Sequence, residues 1–163
     1  MIVKIDHITY SCKKEASAKL REEFEDVGYR LKFIESDLEN FDGKCQYLNG
    51  ENEDHDILFL EKENSVSVEI TAYDTTSIEN RVYDYSAEED IETLKIESTN
   101  VEQTLNFFET LGFKKTNRSN SLESKFLVGA NLRLEVCDTE KNISKKLDND
   151  GLVALALWST NPE

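Results

Sequence analysis

The sequence predicts an α+β protein of two tandem β-α-β-β-β modules forming a curved mixed sheet around a central pocket. Three observations lead there. The 163-residue chain is 38% hydrophobic and 33% charged, enough apolar content for one compact domain or two small fused modules. One pattern occurs twice: Ile91 to Lys115, IETLKIESTNVEQTLNFFETLGFKK, passes from strand to amphipathic helix to Gly-aromatic to strand, and residues 5–34 follow the same order. Each repeat then ends on an alternating strand, Val66-Ser67-Val68-Glu69-Ile70-Thr71 and Leu132-Arg133-Leu134-Glu135-Val136-Cys137. A sheet with one face under its helix must hide the other, and curling against its twin encloses a pocket.

The first module is expected over 1–74. Residues 2–11 read as a strand with Ile5, His7, Thr9 and Ser11 on one side and Ile8 and Tyr10 on the other. Lys14 to Val27 is an amphipathic helix with Ala16, Leu20, Phe24 and Val27 inward, ending at Gly28. Tyr29 to Ile34 alternates as a second strand. Turn signals at Asn40, Asp42-Gly43 and Asn49-Gly50 flank a short strand at Cys45 to Leu48. Asp56 to Glu61 and Ser65 to Tyr73 complete the module.

Residues 75–90, polar and acidic, are expected as a linker. The second module, 91–138, opens on strand 91–98, where Leu94 and Ile96 alternate with Thr93, Lys95 and Glu97. Asn100 offers an N-cap with Gln103 three residues on. Val101, Leu105, Phe108 and Leu111 share a helical face, and Gly112 closes the helix by tolerating positive φ. Strands 113–117, 122–128 and 132–138 follow. Residues 139–163 hold a polar connection and an apolar strand, 152–158.

Nineteen Lys and Arg against 34 Asp and Glu give a net charge of −15, which disfavours nucleic acid and anionic membranes. No apolar run approaches the roughly 20 residues that span a bilayer, and the N-terminus lacks a signal peptide's hydrophobic core. Cys12, Cys45 and Cys137 are odd in number and widely spaced, which suggests reduced thiols and a cytoplasmic protein.

His7 sits mid-strand among apolar neighbours, and Glu69 and Glu135 hold the same place in the last strand of each module. A carboxylate in an apolar strand is costly to bury unpaired, so two equivalent ones point to a polar cavity. One imidazole and two carboxylates suit a divalent ion such as Ni, Co, Mn, Fe or Zn. The metal-free alternative has Lys95 and Arg133 neutralising the two glutamates, with His7 a hydrogen-bonded core histidine. His55, in NEDHDI, is expected on an exposed loop. Cys137 shares the side of Glu135, and Tyr10, Tyr47, Phe59, Tyr73, Phe126 and Trp158 read as core or pocket wall.

The paired modules, the IDHI opening, the segment NVEQTLNFFETLGF and the VEI and LEV strands resemble the vicinal oxygen chelate superfamily over about residues 2–138. That group includes glyoxalase I, methylmalonyl-CoA epimerase, extradiol dioxygenases and the fosfomycin- and bleomycin-resistance proteins. The resemblance implies that His7, Glu69 and Glu135 hold a divalent metal, with Glu69 or Glu135 also acting as the proton-transferring base. Thr93 stands where many metal-binding members carry His. Lys95 and Arg133 bring positive charge beside it, and Thr9, Thr71, Thr93, Lys95, Arg133 and Cys137 would line the pocket. Two functions follow from the resemblance. One is a metal-assisted lyase or isomerase acting on a small molecule with vicinal oxygens. The other is a metal-free binding or sequestering protein of the bleomycin-resistance type, for a hydrophobic or cationic compound. Module pairing within one chain or across a homodimer both fit.

The ending ALALWSTNPE echoes TLKIESTNVE, with Ala154 in the place of His7 and Thr93. Residues 152–158 then either add a strand to the sheet or begin a third module, as in the first half of a four-module, dioxygenase-like protein. Asn161-Pro162-Glu163 has the form of a helix start.

Overall fold

A computed structural model describes residues 2–49, 52–76, 83–88, 91–117, 119–124, 131–140, 146–147 and 151–159. Phe126, the turn at 129–130, the Gly50-Glu51 and Glu89-Asp90 positions and the Asn161-Pro162-Glu163 segment lie outside the described residues, as does the side chain of Trp158.

The first module runs β1 (Ile2–Lys13), α1 (Lys14–Asp26), β2 (Arg30–Glu39), α2 (Asp42–Cys45), β3 (Asp54–Glu61) and β4 (Ser67–Tyr73). β5 (Tyr83–Glu88) precedes the second: β6 (Ile91–Ser98), α3 (Val101–Thr110), β7 (Lys114–Lys115), β8 (Ser121–Ser124) and β9 (Asn131–Asp138). β10 (Gly151–Ser159) is the last element. The expected class therefore holds: α+β, with each β-α-β-β-β set forming a mixed sheet. The strand orders are β10-β1-β4-β3-β2 and β5-β6-β9-β8-β7. In both sheets the first strand of the module runs parallel to the last, and every other pairing is antiparallel.

Helices α1 and α3 end in the same way. Gly28 and Gly112 adopt φ of 97° and 100°, and the next residue closes the turn, Tyr29 N–H to Phe24 O at 3.1 Å and Phe113 N–H to Phe108 O at 3.1 Å. A side chain with a Cβ meets steric resistance in that left-handed region. The starts differ. Asn100 Oδ1 accepts from Gln103 N–H at 3.0 Å, whereas Lys13 at the start of α1 makes no side-chain cap.

The buried apolar residues form one cluster drawn from both modules, including Ile8, Leu60, Val68, Ile70, Leu94, Leu122 and Leu134. From the helices, Leu20, Phe24, Leu105, Phe108 and Leu111 pack against it. The inward face of α1 differs from expectation, because Ala16 and Val27 are exposed. Val27 lies past the last helical residue, so the helical period no longer carries it inward. Ile5 also changes side. The β1–β10 register shifts between Ile5 and His7, and Ile5 and Ile8 face Leu157 and Leu155, two residues apart on β10. A bulge thus turns Ile5 into the core beside Ile8, leaving His7 and Thr9 opposite the small side chains of Ala156 and Ala154.

Three local expectations are corrected. Cys45 to Leu48 is not a strand: residues 42–45 form a helical turn, with Lys44 and Cys45 N–H both donating to Phe41 O. β5 lies within the stretch 75–90, where Tyr83 and Tyr85 alternate with polar residues as strands favour. His55 belongs to β3 rather than an exposed loop. β10 pairs antiparallel with the outer edge of β1, so 152–158 adds a strand to the first sheet.

Candidate functional site

Directly opposed residues in a ladder share a face, so the register places the side chains. On the face of the first sheet away from α1, His7 is opposite Ser67, Thr9 opposite Glu69, and Ser11 opposite Thr71. Phe59 stands on the other side of Glu69, and Ile57 on the other side of Thr71. The apolar partners Ile8, Val68, Ile70 and Leu58 occupy the opposite face and are buried. Strand alternation therefore delivers a polar row onto one sheet surface while the core holds the strands from behind.

Within that row the side chains meet. His7 Nε2 lies 3.5 Å from Glu69 Oε2, and Thr71 Oγ1 donates to Glu69 Oε1 at 3.1 Å. The other ring nitrogen of His7, Nδ1, is 2.9 Å from Asp6 Oδ2. The imidazole is thus held between two carboxylates, one at each ring nitrogen. Phe59 meets the His7 ring edge-on at 5.5 Å and stacks on Phe33 at 5.2 Å, giving the polar pair an aromatic wall.

A second group borders this one. His55 is buried, 7% exposed, and stacks on Tyr73 with ring centroids 5.7 Å apart. Lys44, carried by α2, places Nζ 3.0 Å from His55 Nε2 and 5.2 Å from the centre of the Tyr73 ring. Burial lowers the pKa of Lys44, with Glu69 acting in the opposite sense. Burial also lowers that of His55, and the Lys44 charge adds to the effect. His55 is accordingly a neutral imidazole at neutral pH. Sequence reasoning missed Lys44 altogether, since a lysine in a turn-rich segment carries no periodic signal. It placed His55 in solvent, although the alternation of His55, Ile57 and Phe59 marks one face of β3.

The second sheet carries Thr93 opposite Arg133 and Lys95 opposite Glu135 on β6 and β9. Thr93 is buried, Arg133 and Glu135 are half-buried, and Lys95 and Cys137 are exposed. Ser121, rather than an aromatic residue, flanks Glu135. Of the three ligands implied by the resemblance, His7 and Glu69 adjoin, while Glu135 stands on the second sheet. Among the described residues no group of three His, Cys, Asp or Glu side chains is arranged to hold a metal ion. Beside Glu69, His7 Nδ1 meets Asp6 and Thr71 Oγ1 donates to the glutamate.

No cysteine forms a disulfide, and among the described residues no helix is long and apolar enough to cross a membrane. No protein-family model and no curated protein matches the chain. Among solved structures it is similar to one named "putative dioxygenase from Bacillus subtilis subsp. subtilis str. 168", at 11% identity and a TM-score of 0.30, covering 96% of this chain and 47% of that one. The chain spans about half the length of that structure, and a likeness at this TM-score carries no argument about the site.

Proposed function

We propose that this chain is a small-molecule-binding protein of the vicinal oxygen chelate type, taking its ligand on the first sheet with its own side chains as the polar contacts. The observation that carries this reading is the convergence of His7, Glu69, Thr71 and Phe59 on one sheet face, bordered by Lys44, His55 and Tyr73. An aromatic wall beside a few oriented polar groups is the usual make-up of a small-ligand site. The Asp6 contact fixes the His7 ring, and the Glu69 carboxylate favours a ligand with a hydrogen-bond donor or positive charge at that end. We prefer the sequestering alternative to the metal-dependent lyase or isomerase, because no three ligating side chains group together among the described residues.

Thermal-shift titration with aromatic amines, catechols and α-oxoaldehydes tests the proposal, before and after treatment with a chelator. Saturable stabilisation that survives the chelator and is lost in Phe59→Ala and Glu69→Gln is expected. Near-stoichiometric metal in the purified protein, removed by Glu69→Gln together with all ligand response, would replace it with the metal-dependent reading.

A further inference from the structure

We propose that Lys44 is a carbonyl-capturing amine, held against His55 and over the Tyr73 ring so that its Nζ forms an imine with small aldehydes or ketones reaching the first sheet. The inference rests on the proposed ligand face only for its location, since the imine is read at Lys44 itself.

Three features set this lysine apart. Its backbone is fixed from several sides. Lys44 N–H donates to Phe41 O at 2.8 Å, and Asn40 N–H donates to Glu53 O at 2.8 Å. Lys146 Nζ donates to Gln46 O and Leu48 O at 2.9 and 3.1 Å, while Leu147 N–H donates to Tyr47 O at 2.8 Å. The turn that carries Lys44 is thus clamped between β3 and the connection leading to β10. Second, its hydrogen-bond partner is an imidazole. By contrast, Lys32 meets Glu61 and Lys14 meets Asp54 and Asp74, and a carboxylate stabilises the ammonium form. Third, Nζ is half-buried, which disfavours the ion, while the Tyr73 ring face beneath it holds the side chain in place. Burial acts in that direction here, and Glu69 only partly opposes it.

The chemistry balances without a cofactor. The Nζ lone pair attacks the carbonyl carbon as the C=O π pair moves to oxygen. A proton passes from nitrogen to that oxygen, giving a carbinolamine. Once a further proton reaches its hydroxyl, the nitrogen lone pair expels water. Loss of the remaining N–H proton, for which His55 Nε2 is the adjacent acceptor, returns the proton used. Amine and carbonyl have become imine and water, with no oxidation or reduction.

Limiting propanal with sodium cyanoborohydride at neutral pH, followed by peptide mass mapping, tests this on the intact chain. Lys44 is expected to label several-fold faster than the exposed Lys19 on α1. The preference should disappear in the urea-unfolded chain, and Lys44→Arg should remove the site while leaving the thermal midpoint in place. Labelling of Lys44 no faster than Lys19, or a preference that persists in urea, would overturn the imine proposal. If ligand-panel stabilisation persisted in either case, the binding reading would stand by itself.

Discussion

In the first sheet, β1 runs beside β4 with His7 opposite Ser67 and Thr9 opposite Glu69; in the second, β6 runs beside β9 with Thr93 opposite Arg133 and Lys95 opposite Glu135. The ladders are equivalent step for step, and each glutamate sits two residues beyond the partner of the His7 or Thr93 position. Around the first glutamate the neighbours are imidazole, hydroxyl and the Phe59 ring. Around the second they are Lys95, Arg133 and Ser121. The two sheets share the backbone plan and an apolar face, which build the core. They differ on the opposite face, where a substitution alters chemistry without opening a cavity. Glu135 has cationic residues as its neighbours in the ladder, whereas Glu69 has a histidine and an aromatic wall.

The comparison can be tested first where the sheets should behave alike. Ile70→Ala in β4 and Leu134→Ala in β9 each remove a fully buried side chain from the shared cluster. Each should cost about 2–5 kcal/mol in urea unfolding, with a single transition. Two separate transitions would show that the modules fold independently. Gly28→Ala and Gly112→Ala are the next largest, about 1–2 kcal/mol each, because both positions hold the left-handed conformation. Matching losses support equivalent helix ends, and a mismatch beyond that range would break the repeat at this point.

Smaller effects sharpen the differences. Asn100→Ala should lower stability by about 1 kcal/mol through loss of the cap, while Lys13→Ala should leave α1 unchanged in chemical denaturation, since Lys13 caps nothing. The last contrast is acid sensitivity. His55 has a folded pKa below its ordinary 6.5 through burial and the nearby Lys44 charge. The unfolded chain therefore binds the proton more readily, and the contribution is fully present above pH 6.5 and lost as the pH falls through the lower folded value. Unfolding free energy measured across that window should decline in wild type and flatten in His55→Phe. An unchanged slope would remove His55 from the acid response.

Much of the fold was legible before any coordinate. The duplicated order of strand, helix, Gly-aromatic and strand, the Asn100 cap, the closing glycines and the two alternating strands are local signals, set by side-chain periodicity and backbone sterics within a few residues. The same alternation placed His7, Thr9, Glu69 and Thr71 on one face. Failures arose where a distant partner overrides the local pattern. Ile5 was turned inward by a bulge against β10, and a helical turn replaced the strand expected at Cys45 to Leu48.

The sequence by itself determined the repeat, the mixed-sheet class and which residues share a strand face, because those follow from periods of 2 and 3.6 that any short segment reveals. Only the tertiary structure decided that His7 meets Glu69, that β5 and β10 extend the two sheets, and that Lys44 reaches His55 and Tyr73. The Lys44–His55 contact joins residues 11 positions apart and the β1–β10 ladder pairs Ile2 with Ser159, and the physical reason is that such contacts are fixed by sheet order and shared burial, which no local pattern encodes.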